Sequence, residues 1–348
     1  MQINVKRLIS IGLIVASLTP AIVYSQTKIE ASAVPVIWRD PGDITARDLR
    51  FGSGGPHSLP TAPFTFISED KGGESPKFEV EDSKGVRWMV KLGEEAQAET
   101  VATRLVWSVG YFAEEAYYLP SVRIRRLPEL SRGMDYVGRR GLVRGARFEP
   151  RRPHIKRGDT WDWSDNPFRD SQELSGLKIL MILLNNYDAR KENNRIFHVT
   201  DTASDSTEAW HVVTDLGATL GRAGGLGGKR SKNSLSDFLS TRFVRGVHDD
   251  GSVQFDYDTR PRGLGHFSIL HVPYYRGQVK KEKAMRGIPV EHARWIGSLL
   301  SQLTDAQLRD AFGAAGYNRA TAEGYVKALR ERINQHRSEL RNEYYSYP

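Results

Sequence analysis

The sequence predicts an α+β protein in two parts: an antiparallel five-stranded sheet with one inserted helix, then a mainly helical second half. Three observations predict it. Short apolar–polar alternations recur between residues 64 and 149, with turn residues between them. One run of helical spacing interrupts them after residue 93. The tail from Pro289 to about Glu339 keeps helical spacing throughout. With 348 residues, 39% apolar and 26% charged, the chain is long enough for two lobes with a real core and ordinary in composition for a globular protein.

The elements follow in order. Lys6 and Arg7, the apolar stretch Leu8–Val23 and a small-residue cut after Ser25 predict a secretory signal peptide over 1–25. The apolar stretch is short for a span of about 20 residues, so the mature chain is expected to be exported, periplasmic or secreted, with no transmembrane segment. Residues 26–60 are rich in Gly, Pro and Ser and read as an extended lead-in. Residues 61–150 form the sheet-rich lobe. FTFISED (64–70), KFEVED (77–82) and VRWMVKLG (86–93) alternate and are separated by KGGESP and Ser83-Lys84-Gly85, which makes a meander. Ala98, Val101, Ala102, Leu105, Val106 and Val109 then fall at helical spacing, with Gly110 as a stop. Two more strands are expected at 117–126 and 141–149. Residues 151–340 form the helical lobe, with a helix from about Ser171 to Asn185, a short strand WHVV ending at Asp215-Leu216-Gly217, and a glycine-rich, basic segment at 221–233 expected to be mobile.

Composition narrows the chemistry. There is no cysteine, so thiol nucleophiles, thiolate metal sites and disulfides are excluded. Nine histidines are scattered without H-E-x-x-H spacing, and no G-x-S-x-G elbow is present. The stretch 225–231 lacks the G-x-x-x-x-G-K-[ST] pattern. Net charge is +8, or +6 once Lys6 and Arg7 are removed. The excess is concentrated at 121–158, with Arg or Lys at 123, 125, 126, 132, 139, 140, 144, 147, 151, 152, 156 and 157 against Glu129, Asp135 and Glu149. Such a region can attract an anionic partner or simply be a solvated face. Its few aromatics do not favour a nucleic-acid platform.

Five polar residues stand at element ends. Lys91 closes the third strand, and Glu99 lies on the following helix. Asp188 and Asn193 form D-x-x-x-x-N where a buried helix ends in MILLNNYDARKENN. Asp215 opens D-L-G after WHVV. Buried carboxylates and amides are costly unless something charged satisfies them. Phosphoryl transfer needs these types: a lysine on the donor's phosphates, a glutamate holding it, a carboxylate beside the acceptor hydroxyl, and oxygen donors for Mg²⁺.

At these residues the chain resembles the protein-kinase-like fold in its atypical branches: HipA-type, phosphatidylinositol and secretory-pathway kinases. SEDKGGESPKFEVEDSKGVRWMVKLG is similar to the HipA-type loop and lysine strand, AETVATRLVWSVGY to the helix with the paired glutamate, and LNNYDARKENN with VTDLGATLG to the catalytic loop and metal motif. The resemblance implies Lys91 on the α/β-phosphates with Glu99 as its partner, Asp188 as catalytic carboxylate, and Asn193 and Asp215 on magnesium or manganese. It implies Gly72, Gly73 and Ser75 over the phosphates of ATP, with Lys77 as a further candidate. Residue 190 is Arg where the HipA pattern has His, no His-Arg-Asp precedes the loop, and Glu94 or Glu95 could take the place of Glu99. The expected activity is phosphoryl transfer from Mg-ATP to a hydroxyl acceptor. Nucleotidyl transfer and a non-catalytic binding module are the alternatives.

Overall fold

The computed structural model describes residues 33–201, 206–226, 230–257, 259, 261–262 and 272–342. Residues 1–25, expected to be a signal peptide, lie outside them. In chain order the elements are β1 (Val34–Val36), β2 (Phe64–Asp70), β3 (Lys77–Glu81), β4 (Arg87–Leu92), α1 (Glu95–Ser108), β5 (Tyr117–Arg125), β6 (Val137–Gly138), β7 (Leu142–Pro150), β8 (Ile155–Arg157) and α2 (Gln172–Leu183). There follow β9 (Asn194–Asp201), β10 (Ser206–Val213), β11 (Gly225–Leu226), α3 (Leu235–Leu239), β12 (Val244–Val247), β13 (Val253–Phe255), β14 (Pro261–Arg262), α4 (Val272–Ala284), α5 (Val290–Leu300), α6 (Asp305–Ala314) and α7 (Arg319–Asn342). The fold is α+β.

The first sheet runs β4-β3-β2-β5-β7-β6, and β4 also pairs with β7. Five strands therefore close on themselves, with β6 as a short sixth at the side. The pairs β2–β3, β3–β4, β4–β7 and β5–β7 are antiparallel. The closing pair, β2 with β5, is parallel over Phe64↔Ile124 and Thr65↔Arg125. This departs from the expected all-antiparallel sheet for a topological reason: a parallel pair needs a long crossover, and here α1 lies in it. Inside, Phe64, Phe78, Trp88, Val90, Ile124, Val143 and Phe148 form one apolar cluster. The Trp88 indole N–H donates to Asp82 at 3.0 Å, which satisfies the one polar atom of that buried ring.

The second half is not only helical. A four-stranded sheet, β1-β10-β9-β8, sits beside the helices. Its edge strand β1 comes from the lead-in and pairs in parallel with β10. The described part of that lead-in is thus more than extended chain. Ile44 and Leu49 are fully buried in the larger apolar cluster, with α1, α2 and the tail helices. The Gln307 amide donates to the carbonyls of Ile44 and Arg47 at 2.7 and 2.9 Å. Gln307 also completes a capping box with Thr304 at the start of α6. Gly110, with φ +98°, ends the α1 turn where an added Cβ would come 2.3 Å from the Arg39 carbonyl, so this stop must be glycine. Helix α1 is buried on almost every side, as a helix wedged between a sheet and a helical layer must be.

Candidate active site

Three cations stand side by side on the first sheet. In register, Lys91 on β4 lies opposite Lys77 on β3 and opposite Arg147 on β7. Like charges directly opposite destabilise a sheet, so this rank exists only because carboxylates meet it. Lys77 pairs with Asp70 at 3.2 Å. Arg147, 2% exposed, meets Glu99, Glu114 and Glu149 at 3.6, 3.4 and 3.3 Å. Lys91 meets Glu95 at 2.9 Å, Glu99 at 3.0 Å and Asp215 at 3.3 Å.

The question of which glutamate pairs with Lys91 therefore has two answers. Glu95 and Glu99 are one helical turn apart and share a face of α1, and both reach the ammonium. The Glu94 side chain does not; its backbone carbonyl accepts from Asn233. Burial alone would make the Lys91 ammonium easier to deprotonate, but Glu99, Asp215 and Glu95 outweigh it and hold its pKa well above the usual lysine value. Burial pushes the Glu99 carboxyl up, opposed by Arg147 and Lys91. The Glu95 carboxyl, also raised by burial, is brought down to about 2 by Lys91, Lys232 and Ser75.

The second group sits where α2 ends. Asn185 takes the left-handed conformation, φ +54°, at the helix exit and donates to the Gly221 carbonyl at 2.7 Å. The Asn186 carbonyl oxygen Oδ1 accepts from the Asp188 backbone N–H at 2.9 Å, a local turn that aims the loop. The paired asparagines are thus structural. Asn193 donates its amide to the Asp188 carbonyl at 2.8 Å and to Asp188 Oδ2 at 3.0 Å. Its own backbone carbonyl accepts from the N–H groups of Thr214 and Asp215, at 2.9 and 3.4 Å. One residue thereby ties the D-x-x-x-x-N loop to the D-L-G turn, and Lys91 ties that turn to the first sheet.

Asp188 is heavily engaged. Oδ1 pairs with Lys281 of α4 at 3.2 Å, and Oδ2 with Arg190 at 2.6 Å. Burial raises its pKa, but Lys281, Arg190 and Asn193 together hold it below the usual aspartate value. A carboxylate this stabilised orients an acceptor better than it removes a proton early in a reaction. Asn193 Oδ1 makes no hydrogen bond among the described residues, and the Asp215 side chain is 45% exposed. Together with phosphate oxygens, these hard oxygen donors suit Mg²⁺ or Mn²⁺. Among the described residues no three His, Asp or Glu side chains form a ready-made metal cluster.

The loop candidates divide. Ser75 donates to Glu95 at 2.7 Å and so joins the Lys91 group. Gly72 and Gly73 make no hydrogen bond to Lys91 among the described residues. The Gly72 N–H goes to Asp70, while the carbonyls of Gly72, Gly73 and Glu74 are held by Arg132. The Lys77 ammonium turns to Asp70. Sequence reasoning missed Arg132, Arg147, Lys232 and Lys281. Lys232 lies in the stretch read as mobile, yet it pairs with Glu95 at 2.7 Å, and Arg222 and Ser231 bridge backbone to backbone. The basic region 121–158 is partly consumed inside the fold: Arg147, Arg151, Arg152 and Arg157 all pair with glutamates. Two concavities of about 480 and 610 Å³ lie elsewhere, neither lined by Lys91, Asp188 or Asp215.

No family model and no curated protein matches the chain. Among solved structures it is similar to the Helicobacter pylori proinflammatory kinase CtkA, at 12% identity over 80% of this chain and 95% of that one, with a TM-score of 0.42. It is also similar to the Golgi casein kinase, at 12% identity over 82% and 74% of the two chains, TM-score 0.37. A structure of the Golgi casein kinase with Mn/ADP bound matches at 10% identity over 80% and 74%, TM-score 0.33.

Proposed function

We propose that this chain is an exported, two-lobed, kinase-like phosphotransferase, with residues 61–150 as nucleotide lobe and 151–340 as catalytic lobe. One observation carries the reading: Lys91 is bonded at once to Glu99 of α1 and to Asp215 of the D-L-G turn. A single ammonium held between a helix carboxylate and a turn carboxylate is placed to receive phosphate oxygens. Lys91 would take the α/β-phosphates of ATP, with Gly72, Gly73, Ser75 and Lys77 on the loop above them. Asn193 and Asp215 would hold the divalent cation, which would supply positive charge to neutralise the phosphates. Asp188 orients an acceptor hydroxyl. The bond from the β-γ bridging oxygen to the γ-phosphorus breaks, the acceptor oxygen bonds that phosphorus, its proton passes to Asp188 or solvent, and ADP leaves.

The test is turnover and binding on the purified protein with ATP and Mg²⁺ or Mn²⁺. Wild type should transfer phosphate to itself or to an added acceptor, and Lys91→Met and Asp215→Asn should each abolish transfer. Ligand at 100 times its Kd should stabilise the fold by about 2.7 kcal/mol. An AMP adduct in the mass spectrum would instead make it a nucleotidyl transferase. Thermal stabilisation without turnover would make it a binding module, and the absence of both stabilisation and turnover would sink the reading. Arg123, Arg125, Arg126, Arg139 and Arg140 remain exposed, and an anionic partner there should bind with steep salt dependence.

A further inference from the structure

We infer that Lys232 is a phosphate-binding residue of this centre and that the Glu95 carboxylate occupies, in the resting chain, the place a nucleotide phosphate takes. The inference rests on the phosphotransferase reading and adds to it a residue and a form of self-competition.

Three segments converge on this one carboxylate. Lys91 of β4 and Ser75 of the loop both reach Glu95 Oε2, at 2.9 and 2.7 Å. Lys232, beyond the D-L-G turn, donates to Oε1 at 2.7 Å. Two ammoniums and a hydroxyl around one anion are the donors that phosphate oxygens take. Two of those three donors, Lys91 and Ser75, are residues that the resemblance to kinase-like folds implies over phosphates. Lys77, the other lysine considered for that role, has its ammonium on Asp70.

The surroundings make Glu95 replaceable. Glu99 already holds Lys91 from the next turn of α1, so Glu95 is not needed to position it. Lys91 meets three carboxylates with one charge, so losing one of them to an incoming phosphate still leaves it paired with the other two. The Glu95 side chain lies against Gly217, where an added Cβ would come within 2.8–2.9 Å of its Cβ, Cγ and Cδ. The glycine of D-L-G therefore opens the slot that this side chain fills. Lys232 stays in place when Glu95 leaves, because its neighbour Asn233 donates to the Glu94 carbonyl and to Gln97 Oε1, at 3.2 and 3.3 Å.

A group that occupies the ligand's place lowers apparent affinity by the fraction of chains it blocks. The effect must act on phosphates and not on the nucleoside. Calorimetric titration of the full chain with adenosine, ADP and ATP, the nucleotides with Mg²⁺, separates the two. Glu95→Gln and Glu95→Ala should each bind ADP and ATP about fivefold to tenfold more tightly, with adenosine unchanged. Lys232→Ala should weaken both nucleotides about tenfold or more, again sparing adenosine, and Lys232→Arg should regain most of the loss. If ATP binds but the Glu95 variants do not tighten it, or Lys232→Ala does not weaken it, the inference falls and the phosphotransferase reading stands. If neither wild type nor any variant binds ATP, both fall.

Discussion

Replacing Arg147 with Met tests the charge network behind the site. The guanidinium is buried and is shared by Glu99, Glu114 and Glu149. Glu114, raised to about 8, already largely holds its proton at pH 7, so a methionine of similar size leaves the buried Glu99 and Glu149 carboxylates short of one cation. The cheapest repair is for one of them to take up a proton. From the ordinary glutamate value of 4.5, holding a proton at pH 7 costs about 2.5 × 1.36, or roughly 3.4 kcal/mol. That agrees with the roughly 3–5 kcal/mol lost when buried pairs are broken. At pH 5 the same proton costs only about 0.7 kcal/mol. The sign is fixed: a carboxyl whose folded pKa is raised favours the fold below its unfolded pKa, and that support is lost as pH rises. The deficit of the variant against wild type should therefore shrink by about 2.7 kcal/mol between pH 7 and pH 5. Urea denaturation of both proteins across that range measures it. A deficit under about 1 kcal/mol at pH 7, or one that ignores pH, would refute the reasoning.

Glu114 is itself raised to about 8, by burial first and then by Glu149, against Arg157 and Arg147. Its contribution to wild-type stability should fade as pH climbs from about 4.5 through about 8, and Glu114→Gln should flatten melting temperature over pH 6–9. Arg332 donates to the Leu183 and Phe238 carbonyls, to Asn185 Oδ1 and to Thr241 Oγ1 at 2.6–3.2 Å. Arg332→Leu should cost at least about 2 kcal/mol in denaturation midpoints converted to free energy. It should also slow any phosphate transfer, and Arg332→Lys should not restore it, because one ammonium cannot serve acceptors fanned around a planar fork.

Much of the local structure was legible because its signals are local. The alternations at 64–70, 77–82 and 86–93 lie on β2, β3 and β4. Closure of the sheet was not legible, since β2 meets β5 across the whole α1 crossover and β1 meets β10 from the far side of the chain. At the site, Glu95 and Glu99 could not be separated by spacing, because positions four apart on a helix project to one side. Asn185 and Asn186 carry no site role: their short amides bond the Gly221 carbonyl and the Asp188 N–H and so shape the turn. Lys281 and Lys232 carried no sequence signal, as each sits in a basic, polar stretch whose contacts are set by distant carboxylates.

The grip of Arg332 on the exit of α2 has a consequence for synthesis. Leu183 and Arg332 are 149 residues apart, and chains emerge from the ribosome N-terminus first at about 5–20 residues per second. The closed sheet can assemble early, while the turn bearing Asp188 waits several seconds for its clasp. A nascent polypeptide halted short of residue 319 should therefore protect β2–β7 from protease digestion but leave residues 184–194 open to cleavage. The Asp188 turn is the part set last, with the final helix.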